Sequence, residues 1–117
     1  MIKTKDYGDI GEALAEKILI DKGYTIVDKN FRSKFGEIDI VAKSGDELVF
    51  VEVKTRRSKR YGKPEEAVTA GKLNKIKRTI DYYLLINKVR TKYRIEVVAI
   101  QINNNEVTSV KVIRVVA

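Results

Sequence analysis

The 117-residue sequence contains no cysteine and no histidine. A thiolate or imidazole zinc site, a cysteine nucleophile and a histidine general base are therefore excluded. Any catalytic metal must be held by oxygen, which selects Mg²⁺ or Mn²⁺ chemistry. No apolar run approaches the roughly 18 residues of a membrane span. The start Met-Ile-Lys-Thr-Lys-Asp lacks the apolar stretch of a secretory signal. Internal repeats and low-complexity segments are also missing. These absences imply a soluble, cytoplasmic protein.

What is present supports one domain over residues 1–117, because 44% hydrophobic residues supply enough apolar surface for a single core. The 24 Lys plus Arg outnumber the 16 Asp plus Glu, for a net charge of +8. That excess favours a polyanionic partner, nucleic acid or an anionic membrane surface. Residues 1–53 hold 8 basic and 11 acidic residues, residues 54–94 hold 14 and 3, and residues 95–117 hold 2 and 2. The middle segment thus carries the whole excess, a footprint suited to backbone phosphates, although isolated basic runs also serve as plain solvated surface. No long apolar face with a basic rim is evident, which weakens the membrane reading.

Asp6 can cap a helix running to about Lys22, with Ile10, Leu14 and Ile18 as its apolar stripe, Glu12 and Glu16 off that stripe, and Gly23 as its stop. Residues 24–30, 37–43 and 47–55 read as three strands separated by turn-forming residues. A basic loop from about Arg56 to Pro64 leads to a second helix ending near Leu85, with Ile76, Ile80 and Leu84 spaced by four. Residues 93–103 and 109–116 are two further strands joined at Asn103-Asn104-Asn105. The order αβββαββ implies a sheet with helices packed on it, an α+β or α/β sandwich.

If Lys43 and Leu48 oppose each other across the Ser44 to Glu47 turn, antiparallel partners sum to 91. Asp39 then faces Glu52, and Glu37 faces Lys54. Ile38, Ile40 and Ala42, with Val49, Val51 and Val53, fall on the opposite, core-facing side. Two opposed carboxylates with Cβ atoms about 5 Å apart are tolerable when one takes a proton or a cation lies between them. A cation held by Asp39 and Glu52 is the preferred explanation, with Lys54 beside it to orient water and stabilise charge on a phosphate. The same residues also fit a solvated face of cross-strand ion pairs, and spacing alone leaves both readings open.

Several blocks share one order: Gly8-x-x-Gly11-Glu12-x-x-Ala15, Gly23-Tyr24, Asn30-Phe31-Arg32, Gly36-Glu37-Ile38-Asp39-Ile40-Val41, Phe50-Val51-Glu52-Val53-Lys54-Thr55-Arg56 and Tyr61-Gly62-x-Pro64-x-x-Ala67-Val68. Over roughly Gly8 to Ile100 the chain resembles the YraN-like family of bacterial predicted endonucleases, and more distantly archaeal Holliday junction resolvases. The resemblance implies a single restriction-endonuclease-like nuclease domain of the PD-(D/E)XK type, a three-layer α/β sandwich with a mixed central sheet. By motif position it implies Asp39 and Glu52 as metal ligands, Lys54 as the catalytic lysine and Glu12 as an additional acidic ligand. Ile38 stands where the superfamily motif has Pro, as in its resolvase-like branch, and Phe31 stands where family members often have Trp. DNA, including branched DNA, is the implied partner, and the resolvase-like relatives suggest a homodimer.

Among the remaining residues, Glu12 also suits the positive end of a helix dipole. Glu37 is expected to pair with Lys54. Arg56, Arg57, Lys59, Arg60 and Lys72 are expected to contact phosphates. Tyr82 and Tyr83 are expected to pack partly in the core, and Glu96 to be a surface or pairing residue. A metal-dependent DNA endonuclease is the leading expectation, and a non-catalytic nucleic-acid-binding module is the alternative.

Overall fold

A computed structural model describes residues 4–57 and 69–115, the side chains of residues 4–6 excepted. Helix α1 (Thr4–Asp21) is followed by strands β1 (Thr25–Ser33), β2 (Gly36–Ser44) and β3 (Glu47–Arg56), helix α2 (Ala70–Ile86), and strands β4 (Tyr93–Asn103) and β5 (Glu106–Val115). The strands form one mixed sheet in the order β1-β2-β3-β4-β5. Only β3 and β4 run parallel, and the connection between them contains α2.

The helices cover opposite faces. Ala15 and Leu19 of α1 pack on Ile40, Ala42, Val49, Val51, Val98 and Ile100. Ile80 and Tyr83 of α2 pack on Ile38, Val41, Leu48, Phe50 and Ile95. The result is a three-layer α/β sandwich, as the sequence implies.

Both helices stop in the same way. Gly23 has φ 93°, its N–H donates to the Ile20 carbonyl at 2.9 Å, and the Tyr24 N–H donates to Leu19 at 3.0 Å. At the end of α2, Lys88 takes the left-handed position with φ 53°, and the Val89 N–H reaches the Leu84 carbonyl at 3.0 Å. These bonds satisfy carbonyls that a helix end leaves open.

Three local expectations are corrected. Asp6 does not cap α1 but lies within it, since the helix already includes Thr4; an acid in the first turn suits the helix dipole without marking a boundary. The buried stripe of α1 is Gly11, Ala15 and Leu19, while Ile10 is 43% exposed. Gly11 turns this face inward: a Cβ there would overlap Thr55 Oγ1, so the absence of a side chain lets α1 lie against β3. Finally, Ile38 and Ile40 do not share a face, because Ile38 packs toward α2 and Ile40 toward α1. Between the pairs Lys29↔Ile40 and Phe31↔Ile38, Asn30 adopts φ 52°, which interrupts the regular alternation beside Asp39.

Candidate functional site

The β2–β3 hairpin keeps the predicted sum of 91 for five pairs, from Ser44↔Glu47 to Ile40↔Val51. The ladder then stops one pair short of Asp39 and Glu52. Beyond that point the Asp39 carboxylate takes over a backbone role: Oδ2 accepts the Val53 N–H at 2.8 Å. Asp39 is thereby fixed where the two strands separate.

Around this split, the two helices supply different chemistry. On the α1 side, Glu12 and Asp39 line the same cleft, close enough for the two carboxylates to repel each other. An open cleft of about 200 Å³ is lined there by Asp9, Glu12, Glu16, Lys29, Asn30 and Asp39. Lys29 already pairs with Glu16 at 3.5 Å. On the α2 side, Glu52 pairs with Lys54 Nζ at 3.2 Å, and Lys72 from the first turn of α2 contacts Lys54. The Thr69 side chain caps that turn by accepting the Lys72 backbone N–H at 3.2 Å.

Burial pushes the Asp39 carboxyl up to about 6, with Glu12 and Glu37 adding repulsion and the Val53 N–H opposing the rise. Glu52 is also raised, first by burial and then by Asp39, against the pull of Lys54 and Lys72. Burial depresses Lys54, but the Glu52 and Asp39 carboxylates favour its charged form and it ends above its ordinary value. Lys72 is lowered, chiefly by the Lys54 ammonium against it. The four groups therefore form one electrostatic unit.

The sequence of a chain with this arrangement matches the model of the uncharacterised protein family UPF0102 over residues 11–100. The chain belongs to the UPF0102 family. UPF0102 proteins of Caldicellulosiruptor saccharolyticus and Clostridium tetani are 43% identical over 115 residues and 45% identical over 113. These alignments cover 97% of this chain and 98% of the first relative, and 95% and 93% for the second. A UPF0102 protein of Clostridium botulinum strain Kyoto is 44% identical over 114 residues, covering 95% of this chain and 93% of its own length. Glu12, Asp39, Glu52, Lys54 and Lys72 all lie inside the stretch that defines the UPF0102 family, whereas β5 lies beyond it.

The remaining expected site residues are distributed as follows. Arg56 and Arg57 leave β3 past Lys54, and Arg57 stands over the Tyr7 ring at 5.1 Å. Lys59 and Arg60 lie outside the described residues. Glu37 pairs with Arg32 at 3.4 Å and not with Lys54, because Arg32 is its registered neighbour on β1 while the β2–β3 ladder has ended. Glu96 is buried and pairing, not surface: it receives Arg94 at 3.1 Å and the Tyr24 hydroxyl at 3.1 Å. Tyr83 is buried edge-on against Phe31 and Phe50, and Tyr82 lies half-exposed over Phe31 and Phe35. Asn30 is the neighbour of Asp39 that the sequence reading left without a role; its signal was an asparagine inside a strand, a residue type that tolerates positive φ.

The donors available to a cation are all oxygens. Among the described residues no group of three or more acidic side chains is drawn together tightly enough to form a metal cage. The set is instead a neighbouring pair, Glu12 and Asp39, with Glu52 coupled to Asp39 from the other side. That fits Mg²⁺, which characteristically takes one or two carboxylates and keeps several waters. No helix among the described residues is long and apolar enough to cross a membrane.

Proposed function

We propose that this chain is a divalent-metal-dependent DNA endonuclease of the restriction-endonuclease-like, PD-(D/E)XK kind, with branched DNA within its substrate range. The observation that carries the reading is the placement of Asp39: half-buried, fixed to the Val53 N–H at a strand split, and flanked by Glu12 on one side and the Glu52–Lys54 pair on the other. Asp39 and Glu12, which line one cleft, would hold Mg²⁺ or Mn²⁺, and Glu52 would join them only by closing in from the other side of the split. Such an ion supplies positive charge for a phosphodiester and lowers the pKa of bound water. Glu52 holds the Lys54 ammonium in place, and Lys54 stabilises charge on the phosphate under attack. Arg56, Arg57 and Lys72, with Lys59 and Arg60, grip flanking phosphates, which fix orientation without reading sequence. A four-way junction presents two symmetry-related scissile strands, so action on it calls for a homodimer. With DNA as its substrate, the protein would act in the cytoplasm.

The test is a screen of branched, flapped, single-stranded and duplex DNA with Mg²⁺, Mn²⁺ or EDTA. Cleavage by the parent in metal, lost in Asp39→Asn and Glu52→Gln, supports the reading. The openness of the carboxylate set favours a second reading, a non-catalytic nucleic-acid-binding module. Binding in EDTA with no cut in any metal would make that the better account.

A further inference from the structure

Aromatic rings form a chain of contacts from the core to the surface. Tyr93 and Tyr83 both meet Phe50 edge-on with ring centroids 5.5 Å apart, and Tyr83 meets Phe31 at 5.0 Å. Phe31 then meets Tyr82 at 6.2 Å, and Tyr82 meets Phe35 at 5.9 Å. Tyr82 is propped by two rings yet stays 37% exposed. An aromatic at such a helix position gains nothing from helix propensity, because its ring loses freedom against the preceding turn. The flank of α2 that bears Tyr82 also bears Lys75 and Arg78, seven and four residues earlier. It faces the β1–β2 turn, where a Cβ on Gly36 would meet Thr79 Oγ1 at 3.2 Å and Lys75 Cβ at 4.0 Å. That turn adds Arg32 and Lys34, whose ammonium stands 5.2 Å over the Phe35 ring. Against these four cations stand Asp28 of β1, Glu37, which Arg32 pairs with at 3.4 Å, and Asp81, turned about 100° round the helix from Tyr82. Four cations against three carboxylates leave the flank positive.

A rigid ring face beside a row of cations is what an unpaired nucleotide strand requires: the ring stacks a base and the cations follow its phosphates. A paired base hides its face within the duplex and cannot use such a ring. We propose that Tyr82, braced by Phe31 and Phe35, is a stacking platform for an unpaired base, with Lys75 and Arg78 carrying the strand's phosphates. This rests on the nucleic-acid reading and narrows its substrate class to DNA with a single-stranded arm, such as a flap or splayed end. The platform lies close to the proposed chemistry. Glu37, Glu52 and Ile76 line one small crevice, and Tyr82 lies six residues beyond Ile76, about 9 Å along α2. At about 3.4 Å per nucleotide of a stacked strand, this places the cut roughly two or three nucleotides from the stacked base. A second copy of the chain is the poorer occupant, because two positive flanks repel.

The experiment works first in EDTA, where binding is read without chemistry. Fluorescence anisotropy compares a single strand, the same strand with abasic sites, and its duplex. The parent should bind the single strand tightest, and abasic sites should weaken it roughly tenfold, within the range for one base stacked on an aromatic ring. Tyr82→Leu keeps an apolar contact with Phe31 and Phe35 but removes the ring. It should bind natural and abasic strands equally, whereas Tyr82→Phe should behave as the parent. Stacking releases no counterions, so Tyr82→Leu should keep the parent's slope of log K against log salt. Changing Lys75 and Arg78 together to Gln should lower that slope by up to about 1.4, about 0.7 for each lost contact to a single strand. Leu85→Ala, at a neighbouring position 74% exposed, should bind as the parent does. Circular dichroism checks that the variants are folded. Equal affinity of the parent for natural and abasic strands, or parent-like binding by Tyr82→Leu, overturns the proposal. If Tyr82→Leu and Leu85→Ala instead weaken self-association in sedimentation and leave single-strand binding intact, the patch docks a second copy and the proposal also fails. Single-strand binding that depends on Tyr82, in a protein that cuts no DNA in any metal, overturns the nuclease reading alone.

Discussion

Asp39 and Val53 are joined by a side-chain to backbone hydrogen bond of 2.8 Å, one rung past the end of the β2–β3 ladder. The bond needs an acceptor but not a charge, and this separates the stability of the fold from its proposed chemistry. Asp39→Asn keeps an oxygen for the Val53 N–H and removes a charge that burial disfavours. The folded-state value of about 6 lies above the ordinary 3.8. Protonation therefore stabilises the fold fully below pH 4, and that stability is lost as pH rises through 6. Two units correspond to at most about 3 kcal/mol. Urea unfolding in EDTA at pH 4.5 and 7.5 should show the parent losing stability relative to the Asn variant as pH rises. At pH 7.5, Mg²⁺ or Mn²⁺ should restore the parent and leave the variant unchanged. Identical pH slopes for the two proteins would remove Asp39 as the titrating group.

Gly11→Ala places a methyl group against Thr55 Oγ1. The expected loss is about 1–3 kcal/mol, typical of overpacking, and α1 should shift and carry Glu12 away from Asp39. Thr55→Ala removes the obstructing oxygen, so the double variant should recover part of the loss. A double-mutant cycle by chemical denaturation measures this coupling. Strict additivity would show that the approach of α1 to β3 is not made at this pair.

Lys88 occupies a left-handed backbone position at the end of α2 with φ 53°. Glycine adopts that conformation without the Cβ penalty but costs more on leaving the unfolded chain. Lys88→Gly should stabilise by a few tenths to about 1 kcal/mol. A lower thermal midpoint would refute the motif assigned here.

The hairpin was readable because Ser44-Gly45-Asp46-Glu47 sets the turn, although the alternation on either side is equally served by a slip of two residues. The register ran on in the sequence reading to Glu37 and Lys54 because nothing in either strand announces where pairing stops. That point is marked by Asp39 accepting a backbone N–H, which no feature of the sequence announces. In α1, the large apolar residues with a spacing of four begin at Ile10, whereas the helix is buried through Gly11 and Ala15, whose small size permits close approach. Lys72 was legible as a basic residue, but its contact with Lys54 depends on the β3–α2–β4 crossover, which brings α2 over the sheet.

Arg56 and Arg57 should contribute to a salt-sensitive, sequence-tolerant grip on DNA. Each lost phosphate contact lowers the slope of log K against log salt by about 0.9 for duplex DNA. Changing both to Ala should reduce the slope by up to about twice that, measured by anisotropy between 50 and 200 mM salt. An unchanged slope would place the grip elsewhere on the basic segment.

Glu52 and Lys54 form an ion pair at 3.2 Å, so removing either changes the other's field. Glu52→Gln deletes a proposed metal ligand, relieves repulsion against incoming phosphate and frees Lys54 and Lys72 for the substrate. DNA affinity in Ca²⁺ should hold or rise while single-turnover cleavage in Mg²⁺ collapses. Lys54→Ala removes a positive charge and leaves Glu52 less compensated. Cleavage should fall even at saturating Mg²⁺, with a smaller loss of DNA affinity, because other cations share the phosphate contacts. Excess metal should not rescue it, since the missing charge acts on the phosphate and not on metal occupancy. If both folded variants cut at the parent rate, the split between β2 and β3 is not the catalytic centre. If Lys54→Ala is rescued by raising Mg²⁺, the lysine serves the metal site and has no separate role at the phosphate.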